Sequence, residues 1–396
     1  MEAYDVIVVG GSVAGLRASE QLAKKGLSVL CLDRKQEVGV PKQCGEGLSL
    51  GHLKKLKIKP DRCWAVKKIR GAVLYAPNGK SVEIDFHKTM GYVLERKQFE
   101  KYLAKRAAKA GATIRMKSNV TELKRTQDGV VVKVEDLFAN TYKAKLIFAC
   151  DGPQSIIANK MGLPISIKPE DLDSGIQYEM AGIDFEMEDF IHLWFGNDVA
   201  PRGYVWLFPK DKSHANVGIG IGAHIKGSAK YYLDKWIEAR PQIKKGSILE
   251  VNSGVIPVGG LLEKMTADNL IVVGDAAHQV NPIHGGGMGI AMEAADIAAN
   301  VAAKAFEKKD FSEKALEEYN TLWWAERGQK LLRILQIRKM MESLTDADFN
   351  TIAESFTGEE IMLIQSGDLA KSRTLILKKL VKKPQLIKVM LKYLTA

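Results

Sequence analysis

Cys44 lies in Pro41-Lys42-Gln43-Cys44-Gly45-Glu46-Gly47-Leu48, where glycine flanks set it apart from an ordinary small core cysteine. Upstream, Gly10-Gly11-Ser12-Val13-Ala14-Gly15 fills the first and third positions of G-x-G-x-x-G with glycine and the second with Ser12. Such a loop offers a dinucleotide pyrophosphate free backbone N–H groups at a helix N-terminus, on a chain thin enough to approach closely. Ser12 adds a Cβ where approach is closest, and its hydroxyl is placed to donate to phosphate. Asp33 closes the next apolar run and is placed to accept hydrogen bonds from an adenosine ribose. Far downstream, Asp275 follows Gly274 at the end of a third apolar run, ahead of His278 and His284. Both histidines are candidate proton relays, or else residues that bond the start of a helix.

These residues need elements to hold them. Residues 4–9 read as a buried parallel strand, followed by a helix to about Lys25 and a second strand from Ser28 to Leu32, which makes a complete βαβ unit. Residues 93–110 read as an amphipathic helix, and Lys145 to Cys150 as a strand ending at Asp151-Gly152. Residues 175–222 alternate like antiparallel strands, with turns at Asp184–Glu188, Asn197–Gly203 and Asp211–His214. Leu270 to Val273 is another buried strand, and a long alanine-rich helix starts near Met288. Beyond Asp310 the chain reads as helices. The expected organisation is a discontinuous nucleotide-binding domain (1–155 and 268–310), a β-sheet substrate domain (156–267) and a helical C-terminal region (311–396).

Composition narrows the class. The 396 residues are 46% hydrophobic and 27% charged, which suits a chain with a full core. No apolar run approaches the roughly 18–20 residues of a membrane span, and the chain opens directly into a strand, so a cytoplasmic protein is expected. The four cysteines have no zinc-like spacing, so reduced thiols and no metal are expected. The net charge of +11 gathers in the tail: no acid follows Asp368, whereas Lys371, Arg373, Lys378, Lys379, Lys382, Lys383, Lys388 and Lys392 do. Leucines interleave them. Such a tail either lies on an anionic bilayer or packs its apolar stripe on the body and solvates its lysines. No aromatic-interleaved basic face points to nucleic acid.

Asn269-Leu270-Ile271-Val272-Val273-Gly274-Asp275-Ala276-Ala277-His278 resembles the strand and GD motif of the FAD-dependent glutathione-reductase-like superfamily. In that superfamily the aspartate bonds the ribityl chain and phosphate of FAD. Arg96 matches the arginine of its second helix region, and Asp151-Gly152 its strand-ending DG, although the usual following arginine is missing, with Ile156 and Ile157 near its place. The glycine run before Met288 opens a helix whose free N–H groups suit the pyrimidine edge of a reduced, anionic flavin.

Tyr204-Val205-Trp206-Leu207-Phe208-Pro209, then eight residues, then Gly218-Ile219-Gly220, looks like the YxWxFPx8GxG signature of the geranylgeranyl reductase family. The Cys44 segment resembles the PxxCGxxL loop of the same family, most closely in its archaeal membrane-lipid branch. Taken alone the three aromatics are core residues; alternation also puts them on one strand face, a π-rich wall suited to a polyprenyl chain. The resemblance implies a p-hydroxybenzoate-hydroxylase-like α/β fold of the glutathione-reductase type, with an antiparallel substrate sheet and a helical C-terminus. It implies FAD contacts from Gly10, Gly11, Ser12, Ala14, Gly15, Asp33, Arg34, Cys44, Gly45, Gly47, Arg96, Val120, Asp275, Gly287 and Met288. Substrate contacts fall to Tyr204, Trp206, Phe208 and His284, and Cys44 and Gly45 stand at the reacting face.

The reaction so implied is saturation of C=C bonds in geranylgeranyl chains, with a polyprenyl lipid as substrate and ferredoxin, a deazaflavin or NAD(P)H as electron donor. Two alternatives share the motifs: an FAD-dependent aromatic-ring monooxygenase or halogenase, and a non-catalytic flavin protein that binds lipid.

Overall fold

The structure, a computed structural model, describes residues 1–136 and 140–365, and beyond them only Lys371, Thr374, Leu375, Lys378, Lys379 and Leu386. From the N-terminus, β1 (Glu2–Val9), α1 (Val13–Lys24) and β2 (Val29–Leu32) form the expected βαβ unit. A hairpin, β3 (Gly71–Tyr75) and β4 (Ser81–Asp85), follows. Next come α2 (Arg96–Lys109), β5 (Thr113–Arg115) and β6 (Thr141–Ala149). The helix expected over 93–110 starts late because Gly91–Leu94 is a strand, paired with both Gly47–Ser49 and Ala65–Ile69. Four long strands follow: β7 (Leu172–Ala181), β8 (Phe190–Trp194), β9 (Tyr204–Pro209) and β10 (His214–Gly222). Then come α3 (Ala229–Glu238), β11 (Ser247–Pro257), β12 (Leu270–Val272) and α4 (Met288–Lys308). The helices α5 (Gln329–Glu342) and α6 (Asp346–Ser355) lie beyond.

The first sheet has a parallel core in the order β12–β6–β1–β2–β5. Val6, Ile7, Val8, Leu30, Leu146 and Ile147 are fully buried, as strands covered on both faces require. α1 packs on α4 and α2 over one face. This arrangement brings the C-terminal ends of β1, β2, β6 and β12 together, although the first ends at Val9 and the last at Val272.

The second sheet runs β11–β7–β10–β9–β8–β3–β4. The hairpin at 71–85, counted with the first unit on the sequence, therefore extends the second sheet, with β3 parallel to β8. At the juncture the Ile84 carbonyl oxygen and the Phe190 ring lie 2.2 and 2.4 Å from where a Cβ on Gly71 would stand, so only glycine fits there. One face of the sheet buries Tyr178, Met180, Val205, Leu207, Val217 and Ile219 against Leu233 and Trp236 of α3. Alternation turns Gln177, Tyr204, Trp206, Phe208 and Gly218 to the opposite face.

Glu293 ties α4 to its surroundings. Its carboxylate lies 2.7 Å from His52 Nδ1, 2.9 Å from Lys55 Nζ and 2.7 Å from Arg327 Nε. Burial opposes the charge, but the hydrogen bonds from His52, Lys55 and Arg327 outweigh it and hold the carboxyl down at about 2. A depressed folded pKa contributes stability that is present above the unfolded value and lost as pH falls toward the folded one. Glu293→Gln should therefore cost roughly 2–3 kcal/mol at pH 7 in urea unfolding, and the gap to the parent should close as pH falls from about 5 to 2. A gap independent of pH would contradict this reading.

Candidate active site

The loop after β1 is shaped by two glycines that nothing else can replace. A Cβ on Gly10 (φ +107) would stand 2.1 Å from the Cys150 carbonyl oxygen, and one on Gly15 would stand 1.8 Å from the Gly10 oxygen. Asp33 braces the turn, its Oδ2 accepting from Gly11 N–H at 2.6 Å and its Oδ1 from Lys35 N–H at 2.8 Å. Ser12 corrects an expectation. Its hydroxyl donates to Glu100 Oε1 at 2.6 Å and accepts from Arg96 Nη2 at 3.0 Å, so its proton is committed inside the protein. Arg96 also donates to Glu100 from Nε (2.9 Å) and to the Gln43 carbonyl from Nη1 (3.0 Å). Burial works against its charge, but Glu100 and Cys44 outweigh it and hold the guanidinium ionised.

Asp275 stands opposite, just past β12. None of the influences on its carboxyl is a hydrogen bond: burial pushes its pKa up and the Arg96 charge pulls it down. Its Oδ1 lies 3.1 Å from where a Cβ on Gly287 would stand. A second carboxylate is half-satisfied nearby in the chain order of the motifs: Asp151 Oδ2 accepts from Ile157 N–H at 2.9 Å, while Oδ1 is buried with no partner. A buried carboxylate left without donors is costly. Carboxylates short of donors, beside glycine turns and the start of α4, fit a ligand rich in hydroxyls and phosphates such as FAD.

The Cys44 loop closes the cleft from a third side. Cys44 Sγ accepts from Glu46 N–H at 3.1 Å and lies 3.9 Å from Met288 Sδ at the start of α4. The Cys44 carbonyl accepts from Gln177 Nε2 at 3.1 Å, and Gln177 Oε1 accepts from Trp206 Nε1 at 2.9 Å. The aromatic residues share one face as expected, with ring centroids 5.9 Å apart for Tyr204–Trp206 and 6.4 Å for Trp206–Phe208. The paired glycines of the motif then gain a reason: a Cβ on Gly218 would stand 2.3 Å from the Trp206 ring. Gly45 and Gly47 make room in the same way for Phe208, at 3.1 and 3.3 Å. Tyr204 donates to the His284 carbonyl at 2.7 Å, which ties the strand to the glycine run before α4.

Behind this loop is a network that sequence reasoning missed. Glu46, fully buried and at φ +74, accepts from Arg96 N–H at 2.6 Å and Asn216 Nδ2 at 2.7 Å, and pairs with Lys210 at 3.0 Å and Lys42 at 3.2 Å. Lys42 and Lys210 also reach Glu179, at 2.5 and 3.1 Å. Burial opposes the Glu179 charge, but His214 and Lys42 outweigh it and hold the carboxyl far below its usual range. The only sequence signal was a glutamate between two glycines.

The remaining candidates divide. His284 is exposed in the turn before α4, where its Nδ1 accepts from Gly286 N–H at 3.1 Å and the protein around it lowers its pKa by desolvation. His278 is fully buried, its Nδ1 is 2.8 Å from the Gly260 carbonyl, and its Nε2 has no partner. One ring nitrogen of His278 is thus engaged by the Gly260 carbonyl. Arg34 is exposed and near Asp151 in charge terms, and Val120 is buried in the strand Asn119–Thr126. Most of the basic tail lies outside the described residues. Of its lysines, Lys379 is engaged by the body, donating to the Ser355 carbonyl at 2.8 Å and pairing with Glu360 at 2.7 Å. No helix among the described residues is long and apolar enough to cross a membrane.

The architecture is that of the FAD-dependent halogenase and monooxygenase flavoproteins. The flavin-dependent halogenase CmlS aligns over 87% of this chain and 66% of its own, with a TM-score of 0.69 at 19% identity, a likeness of fold alone. The chain belongs to the digeranylgeranylglycerophospholipid reductase family, within the geranylgeranyl reductases. It is 39% identical to the digeranylgeranylglycerophospholipid reductase of Methanocaldococcus jannaschii over 98% of this chain and 97% of that one. The solved geranylgeranyl bacteriochlorophyll reductase-like protein of Thermoplasma acidophilum matches at 32% identity with a TM-score of 0.88, covering 99% and 100% of the two chains. A family model for the geranylgeranyl reductase catalytic domain matches residues 171–256, and one for lycopene cyclase protein matches 5–178 and 230–366. The stretch that the second omits holds β8, β9 and β10, the strands that carry the aromatic face.

Proposed function

We propose that this chain is an FAD-dependent reductase that saturates the C=C bonds of geranylgeranyl chains in membrane lipids of the archaeal type. The observation that carries the reading is the Tyr204–Trp206–Phe208 face, set over Gly218 and joined through Gln177 to Cys44 beside the proposed flavin cradle. Asp275, the loop from Gly10 to Gly15, Asp33, Arg96 and the start of α4 would hold FAD, which when bound and reduced supplies hydride.

An isolated trisubstituted alkene accepts hydride poorly. A proton arriving on its less substituted carbon leaves tertiary cation character on the other, and water must be kept from it. The aromatic face serves both needs: it is apolar, and π-faces stabilise a developing cation. Gly45 and Gly47 let the Cys44 loop lie directly against Phe208, which closes that end of the aromatic face to water. For the proton, Cys44 and His284 stand at the cleft. With Nδ1 accepting from Gly286, the neutral His284 carries its proton on Nε2.

Photoreduced protein mixed anaerobically with a geranylgeranyl lipid should reoxidise stoichiometrically, one flavin for each double bond saturated. Reoxidation only by oxygen with an aromatic substrate or halide would instead mark a monooxygenase or halogenase. Lipid binding without any reoxidation would leave a non-catalytic flavin protein.

A further inference from the structure

A partly open cleft, with about 490 Å³ of free space counting the solvent at its mouth, lies beside Tyr204, between the start of β9, the Pro282-Ile283 turn and the helices α5 and α6. Part of its wall is apolar, from Phe195, Ile283, Met341 and Phe349. The rest is charged, and the charges are poorly matched. Arg202 and Arg338 are nearly sealed, with side chains 6% and 7% exposed, and their Nε atoms converge on the same oxygen, Glu342 Oε1, at 2.7 and 2.8 Å. One carboxylate thus serves two buried cations. The other acid, Asp173, stands 3.6 Å from Arg202 Nη2 without a hydrogen bond, and both Nη2 and Asp173 Oδ1 are buried and unpartnered. Desolvation pushes the Asp173 carboxyl up to about 7 against the pull of Arg202, so at neutral pH it offers only part of a negative charge. His224 Nδ1 lies 2.8 Å from Arg202 Nη1, and Arg338 Nη2 donates to the Glu170 carbonyl at 3.1 Å; neither acceptor adds a negative charge. Buried guanidiniums in excess of their carboxylates call for an anion.

We propose that this cavity seats the oxyanion head group, a phosphate, of the prenyl lipid, with Arg338 and Arg202 as its donors and the chain leading away past Tyr204. The proposal rests on the lipid-reductase reading and adds where the head is held. Guanidinium forks match phosphate oxygens in pairs, and the apolar wall suits the first carbons of the chains. A head group anchored beside Tyr204 brings the double bonds nearest the glycerol to the aromatic strand, so those bonds depend most on the anchor.

The test compares two lipids with the same geranylgeranyl chains, one ending in glycerol phosphate and one in uncharged glycerol, reduced anaerobically by dithionite-reduced, FAD-loaded enzyme. The parent should favour the phosphate lipid in kcat/KM. In Arg338→Gln the ratio of kcat/KM between the two lipids should fall about tenfold to a hundredfold, the loss of one charge-assisted contact. Arg338→Lys should recover part of it, and partly reduced products should keep their head-proximal double bond. Glu342→Gln, which removes the competing carboxylate, should raise the ratio, so the proposal can be judged even if the arginine variants misfold. Inorganic phosphate should compete with the phosphate lipid only far above that lipid's own concentration. An unchanged ratio in these variants, or inorganic phosphate binding as tightly as the lipid, would overturn the head-group site while leaving the reductase standing. Reduction of neither lipid by the parent would overturn the functional reading itself.

Discussion

Asp275→Ala should leave the purified protein colourless. The carboxylate faces the glycine turn before α4 with no hydrogen bond among the influences on it, so its partners are to come from the cofactor. Contacts from two ribityl hydroxyls to a charged acceptor are worth about 1.5–3 kcal/mol each, and losing two weakens binding by roughly a hundredfold to ten-thousandfold. Asp275→Asn keeps an acceptor and loses the charge, and should fall between. The check is FAD released per protein on denaturation, with titration of the apoprotein. Undiminished FAD in the alanine variant would remove Asp275 from the cofactor site.

Trp206→Ala is the second large effect, expected in turnover rather than in folding. Val205 and Leu207, its chain neighbours, point into the core against α3, whereas Trp206 lies over Gly218 on the cleft face. Without the ring, the alkene loses one wall, and Cys44 loses the tie that runs through Gln177. Misplacing a reacting group by about 1 Å costs on the order of a hundredfold, so kcat/KM for prenyl lipid should fall at least that far while flavin content holds. Trp206→Phe keeps a ring but not the Nε1–H to Gln177, and should recover only part. If alanine instead causes flavin loss or aggregation, the tryptophan is a core residue, whose deletion costs about 3–5 kcal/mol.

How much was legible follows from what is local. The strand–turn–helix around Gly10, the acid closing β2 and the Gly274-Asp275 turn each sit within a few residues, so their pattern shows in the chain. The aromatic signature was legible as two pieces, and the structure makes them one: Trp206 pairs with Gly218 across β9 and β10, which is why their spacing matters. What stayed hidden depends on distant partners. That the 71–85 hairpin joins the second sheet rests on β3 pairing with β8, a partner far along the chain. Ser12 reads as a phosphate donor until Glu100 is seen beside it. The Glu46 network draws on residues from 42 to 216, and no local spacing announces it.

The most direct test of the central claim is anaerobic incubation of dithionite-reduced, FAD-loaded protein with a digeranylgeranyl glycerol lipid, followed by counting added hydrogens by mass spectrometry. A product ladder rising by two hydrogens per step, dependent on FAD and formed without oxygen, is the expected result. A lipid recovered at its starting mass from fully reduced, flavin-loaded protein would contradict it.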